Sequence, residues 1–112
     1  MANLTNTGTF NNVSFGQYGC VFTDNASAAI TPPTGKVFVA ITMLSETTFD
    51  ATGGLIAEDS TLYANTNAAA SAGGSGGVEI AVDDAFPKGV TIYGRWTSVN
   101  LAGGSIMAYI GD

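Results

Sequence analysis

Short apolar runs separated by turns rich in glycine and proline make up most of this chain. The clearest run, residues 36–44, is β-branched and apolar on both faces, as expected for a central strand. Shorter runs of the same kind predict strands at 17–23, 61–64, 78–82, 90–99 and 105–111, with two more around the turn at 52–54. No helical periodicity competes with them. The pattern therefore predicts an all-β fold, either an antiparallel β-sandwich or a jelly-roll-like barrel.

The domain organisation follows from length and from two low-complexity stretches. A chain of 112 residues is expected to form a single domain, residues 1–112. Residues 1–14 are rich in Asn and Thr and are interpreted as a polar N-terminal arm, with Phe10 as an anchor. Residues 65–77 are rich in Gly, Ala and Ser and are interpreted as a surface loop.

The last two predicted strands can be paired in register if Gly103 and Gly104 form a two-residue turn. One face of that hairpin would then be apolar and would form part of the core, comprising Val99, Leu101, Ile106, Ala108 and Ile110. The opposite face would carry Trp96, Met107 and Tyr109. Because a register slip of one residue exchanges the faces, this assignment depends on the turn. Gly94 is a candidate bulge that interrupts the alternation.

The charge balance excludes several classes of partner. Charged residues make up 11% of the chain, and nine acidic against three basic residues give a net charge of −6. Nucleic acid and anionic membrane surfaces are bound mainly through Lys and Arg, so neither is an expected partner. A surface with so little charge repels neighbours weakly, which favours permanent contact with other proteins.

The residue types that usually carry chemistry are scarce. The chain has no His and one Cys, so a common hydrolytic triad and a thiolate zinc cluster are excluded. Cys20 is predicted to be a small buried apolar residue. The adjacent carboxylates at 58–59 and 83–84 are interpreted as solvated turn residues. We therefore predict no catalytic, cofactor-binding or metal-binding residues, and no enzymatic activity.

The only Arg and the only Trp of the chain are neighbours, at Arg95 and Trp96. Trp, Tyr and Arg dominate the energetics of protein interfaces. The candidate interface residues are therefore Trp96, Tyr109, Arg95, Met107 and Phe10. Two alternatives stay open: Arg95 and Trp96 form an ordinary strand-edge pair, or the aromatic residues form a sugar-binding platform.

Two stretches of the chain resemble small β-rich structural proteins of tailed bacteriophages, notably those of marine and cyanobacterial hosts. Residues 86–111, FPKGVTIYGRWTSVNLAGGSIMAYIG, resemble the ending of such proteins, and residues 37–59 are similar to their middle part. The resemblance covers somewhat under half of the chain and includes no catalytic signature.

The resemblance implies a non-enzymatic virion protein, made in the host cytoplasm and located on the capsid exterior. Small acidic β-rich members of this group are candidates for capsid decoration or cement proteins. They bind the major capsid protein from outside, commonly as trimers, and stabilise capsomer boundaries. Alternatives are a head fibre, neck or tail protein, or a carbohydrate-binding β-sandwich module. No cofactor is expected.

Overall fold

The structure, a computed structural model, describes residues 18–66 and 76–112. These ranges contain seven strands and no helix, which confirms the predicted all-β, sandwich-like fold. The strands are β1 Cys20–Thr23, β2 Val37–Met43, β3 Thr48–Phe49, β4 Leu55–Ala57, β5 Thr91–Val99, β6 Leu101–Gly103 and β7 Ile106–Gly111. A five-stranded antiparallel sheet has the order β1-β7-β2-β5-β4, and β3 pairs with β6 in a second sheet.

The hydrophobic core draws on both sheets. From the five-stranded sheet, alternate residues of the long strands are buried because side chains of a strand point alternately to its two faces. Phe49 of β3 and Leu101 of β6 join them from the second sheet, and both are fully buried. The Phe86 ring meets the Phe49 ring edge-on at 5.4 Å, which extends the core under the loop before β5.

The four longest predicted strands are confirmed as β1, β2, β5 and β7, but the strand predicted at 61–64 is wrong. The Oδ1 atom of Asp59 accepts hydrogen bonds from the backbone N–H and the hydroxyl of Thr61, at 2.9 and 2.6 Å. The Asp59 carbonyl accepts from the N–H groups of Leu62 and Tyr63. The hydrogen bonds to Asp59 therefore hold the backbone in a turn, and residues 61–64 do not pair in a β-ladder.

The strand predicted at 78–82 is also wrong, although the alternation there is regular. The Ile80 side chain does pack against the core, but its N–H donates to the carbonyl of Asn65. The next N–H, of Ala81, donates to the Asp84 carboxylate at 2.8 Å. A loop contact and a turn thus fix the position of this segment.

The predicted surface loop at residues 65–77 begins with two buried residues. Asn65 and Thr66 are 5% and 3% exposed. Residues 67–75 of that loop lie outside the described residues.

The predicted hairpin between residues 90–99 and 105–111 is wrong, because β5 and β7 are not neighbours. Both pair with β2, which lies between them in the sheet. The intervening β6 leaves this sheet and pairs with β3, and the chain turns back at Gly104, whose φ is +96°. The five residues predicted for the core face are nevertheless buried. For these five residues the predicted core face is correct, whereas the predicted pairing partner is not.

Two irregularities in β5 decide where its aromatic residues point. Opposite Phe38 and Ala40 of β2 lie Trp96 and Tyr93, so β5 has one extra residue there, and the predicted bulge at Gly94 is confirmed. Opposite Ile56 and Ala57 of β4 lie Ser98 and Trp96, so Thr97 is skipped as well. Trp96 therefore shares the core side with Val99, three residues later.

The outer edge of β4 is covered by side chains instead of another strand. The Leu55 N–H donates to Thr66 Oγ1 at 3.1 Å, and the Ala57 N–H donates to Asn65 Oδ1 at 3.0 Å. The N–H of Thr66 returns a bond to the Leu55 carbonyl. These buried polar side chains take the place of a ladder partner, so this edge has few free backbone groups.

Candidate interaction surface

Trp96, the leading candidate for an exposed contact, is buried inside its own chain. Its side chain is 1% exposed, and its Nε1–H donates to the Ala64 carbonyl at 2.9 Å. The prediction that Trp96 lies on the non-core face beside Tyr109 is therefore wrong. Its physical reason is the skipped residue Thr97, which reverses the alternation that was extrapolated from Val99.

Gly94 is required by the way Trp96 packs. A Cβ atom at Gly94 would lie 2.8 Å from two carbons of the six-membered ring of the indole. The ring therefore folds back along its own strand and lies over the Gly94 backbone. Gly94 and Trp96, which are separated by Arg95, thus form one packing unit of the core, in which the bulge and the ring position depend on each other.

The side of the five-stranded sheet away from the core presents two rows of side chains across four strands. Residues directly opposite in an antiparallel pair share a face. The register therefore aligns Cys20, Tyr109, Ala40 and Tyr93 in one row and Phe22, Met107, Thr42 and Thr91 in the other. We call these eight residues the outer face.

The outer face contains no charged side chain and exposes large apolar groups. Tyr93 is 79% and Phe22 is 53% exposed. Its two threonine hydroxyls, Thr42 Oγ1 on β2 and Thr91 Oγ1 on β5, bond to each other at 2.9 Å. The polar groups in this part of the face are thus partly satisfied internally, and the surface suits contact with another apolar surface.

Cys20 lies on the outer face and is exposed, so its predicted burial is wrong. The reason is that β1 is an edge strand and Cys20 alternates outward, opposite Tyr109. Tyr109 and Met107 are half-buried on the same face, as predicted, but Trp96 is not with them.

Two ion pairs lie at the end of the sheet where β2 begins and β7 ends. The Arg95 guanidinium binds the Glu58 carboxylate through two hydrogen bonds, at 2.6 and 3.2 Å, and also donates to the Asp112 carbonyl at 3.0 Å. Lys36 pairs with the Asp112 carboxylate, and its Nζ lies over the Tyr18 ring. Arg95 is therefore a half-exposed, paired residue at the rim of the outer face.

These ion pairs shift the ionisation of their members. The hydrogen bond from Arg95 lowers the pKa of Glu58, and the hydrogen bond from Lys36 lowers the pKa of Asp112. The pKa of Lys36 is raised, mainly by the same bond to Asp112. A separate shift at Asp59, where the pKa is lowered by hydrogen bonds from Thr61, accompanies its turn.

Two of the three basic residues, Lys36 and Arg95, are engaged in these pairs. Exposed acidic residues on the loops of the described chain form no such pair: Asp24, Glu46, Glu79, Asp83 and Asp84. The loops are thus acidic, whereas the outer face is neutral.

Within residues 18–66 and 76–112, no three His, Cys, Asp or Glu side chains are grouped closely enough to hold a metal ion. The same ranges include no helix long and apolar enough to cross a membrane.

Sequence reasoning missed two exposed aromatic members of the outer face, Phe22 and Tyr93. A signal for both existed, because each alternates with a buried or half-buried neighbour in its strand. Their exposure depends on which strands are neighbours, which alternation alone does not reveal. Phe10, the remaining candidate, lies outside the described residues.

Comparison with known proteins adds no relative: no family model, no curated protein and no solved structure matches this chain.

Proposed function

We propose that this protein is a virion structural protein that acts through protein contacts, as a capsid decoration or cement protein on the outside of a phage head. The observation that carries the proposal is the outer face, which is uncharged and exposes Tyr93 and Phe22. An open sheet face of this composition is typical of a protein contact surface. The resemblance of residues 37–59 and 86–111 to phage structural proteins supplies the class.

The acidic loops support a shell of proteins as the partner. With Lys36 and Arg95 already paired to carboxylates, the surface attracts basic patches on a capsid protein and repels packaged DNA. In this mechanism the protein docks across capsomer boundaries, and the area it covers must be re-exposed before capsomers separate. Bound copies would thus raise the free energy needed to open the shell, with a homo-oligomer, favourably a trimer, as the docking unit.

The carbohydrate-binding alternative is weaker. A sugar platform needs an exposed aromatic surface, and Trp96 is buried with its N–H already bonded to Ala64. Tyr93 remains exposed, but it shares the outer face with apolar neighbours such as Phe22, where few free polar groups are available to bond sugar hydroxyls.

Copy number in purified particles tests the proposal. Quantitative mass spectrometry of purified virions should find this protein in numbers comparable with those of the major capsid protein. A few copies per particle would contradict decoration and would indicate a head fibre, neck or tail component. Absence from the particle, with specific glycan binding by the isolated protein, would overturn the virion role altogether.

A further inference from the structure

The outer face needs an occupant whose surface is also uncharged. Burying a charged group against apolar surface without a partner is costly, so the acidic loops of a neighbouring copy are poorly matched to it. The outer face of a second copy is matched, because it is the neutral surface that the described chain itself offers. Two chains of net charge −6 repel each other, and contact through neutral faces keeps their acidic loops apart.

The rim of the outer face also favours a second copy of this chain as the partner. At one end of the sheet, the charges of Arg95, Glu58, Lys36 and Asp112 are balanced within the chain. A neutral centre bordered by polar groups is the usual arrangement of a protein interface. Since the rim charges are already paired, a second copy brought against the face meets no uncompensated charge there.

We propose that the outer face pairs with the outer face of a second copy of this chain, with Tyr93 and Phe22 as exposed contacts at its two ends. The same patch on both copies gives an isologous, twofold pair. Each row of four residues spans about 14 Å and the rows lie about 7 Å apart, from the usual strand spacing and rise. A contact of that extent is much smaller than the roughly 800 Å² per partner of a standard interface, so the pair is weak and dissociable.

The pair also modifies the docking unit proposed above. A face occupied by its twofold mate can neither close a threefold ring nor contact the capsid, so pairing in solution and docking on the shell are alternatives for this face. The inference rests on the structural role proposed above, but the two fail separately. The pair is measured on the isolated protein, whereas decoration is measured on particles.

The only cysteine provides a direct probe of the face. Cys20 is exposed and lies in the same row as Tyr93, so its reaction with a maleimide reports whether the face is covered. The mass of the full chain would be measured by sedimentation and light scattering from low micromolar to near-millimolar concentration, with labelling rates taken on the same samples. We expect the mass to rise from one copy to two while labelling slows at least severalfold.

Substitutions matched for exposure and charge locate the contact. Tyr93→Asp should keep the protein monomeric at every concentration, with rapid Cys20 labelling throughout. Val78→Asp adds the same charge at a position that is also 79% exposed but outside the outer face, and it should pair like the parent. Phe22→Asp and Leu62→Asp form a second matched set, at 53% and 52% exposure.

Each remaining outcome overturns the inference. A monomer with rapidly labelled Cys20 at all concentrations means that the face is open. A monomer with slow, concentration-independent labelling means that another part of the same chain covers it. A multimer that persists in Tyr93→Asp and Phe22→Asp means that copies associate through a different surface, whether or not Val78→Asp disrupts it. Circular dichroism of each variant shows whether it remains folded.

Discussion

The packing of Trp96 over Gly94 predicts an unusual cost for a small substitution. Gly94 has no positive φ, so Gly94→Ala introduces no backbone strain. In open space the change would stabilise the protein by about 0.4–1 kcal/mol, because alanine restricts the unfolded chain. Here the new Cβ would lie 2.8 Å from two indole carbons that cannot move freely, since the ring is buried.

Overpacking of this kind costs about 1–3 kcal/mol, which exceeds the gain from alanine. We therefore expect Gly94→Ala to lower the free energy of unfolding by about 0.5–2 kcal/mol. In a Trp96→Leu background the two clashing carbons are absent. The same substitution should then be neutral or stabilising, which gives a coupling energy of about 1–3 kcal/mol between the two positions.

The parent, the two single variants and the double variant form a double-mutant cycle. Urea unfolding followed by far-ultraviolet circular dichroism measures the free energy of unfolding of all four proteins. Gly103→Ala is the matched control, because a Cβ there meets only Thr48 Oγ1 at an ordinary 3.6 Å. Trp96→Phe replaces Trp96→Leu if the leucine variant is too unstable for a full baseline. The packing would be refuted if Gly94→Ala stabilised the parent, or if its cost were the same in both backgrounds. Either result would mean that the indole does not lie over residue 94.

Three further predictions concern stability. The pKa values of Glu58 and Asp112 are lowered in the folded state, so their contribution is present above the unfolded pKa, near 4, and is lost as pH falls through the folded pKa. Thermal unfolding should therefore show a melting temperature that is flat near neutral pH, where no histidine titrates, and that falls on acidification. Asn65→Ala should cost about 1–3 kcal/mol in urea unfolding, because it leaves the Ala57 N–H without its acceptor. Gly104→Ala should cost more than about 1 kcal/mol, because φ is +96° and a Cβ would lie 2.5 Å from the Glu46 carbonyl.

Each of these three predictions has an outcome that would contradict it. A melting temperature that rises on acidification would contradict the ion pairs at the rim of the outer face. A neutral Asn65→Ala would mean that water or another group reaches the β4 edge. A neutral Gly104→Ala would mean that the chain does not turn there as described. Glu79→Gln, an exposed carboxylate outside the ion pairs, is the control for the pH series.

The fold class and much of the core could be predicted from the sequence because burial depends on alternation within a strand. Ile106, Ala108 and Ile110 were assigned correctly to the core without knowledge of their neighbours. Pairing could not be predicted in the same way. Nothing local shows that β2 separates β5 from β7, since that arrangement depends on contacts between distant parts of the chain.

The errors at the candidate site have local causes. One skipped residue, Thr97, was enough to move Trp96 from the predicted surface into the core. The segment at 78–82 has the alternation of a strand, but Asn65 and Thr66 already bond the β4 edge, and the Ile80 N–H donates to the Asn65 carbonyl. The sequence alone did not indicate that Phe22 and Tyr93 share a face, because this follows from the register of strands that are distant in the chain.

The covered edge of β4 limits how many neighbours can join this sheet by adding strands. A sheet with two open edges can extend in both directions without end, which is how fibrils grow. Asn65 and Thr66 close one direction, and among the described residues β1 has a strand neighbour on one side only. Edge-to-edge growth through β1 would therefore stop at two molecules. Among the described residues this sheet has one available edge, so copies at high local concentration would not polymerise through its backbone.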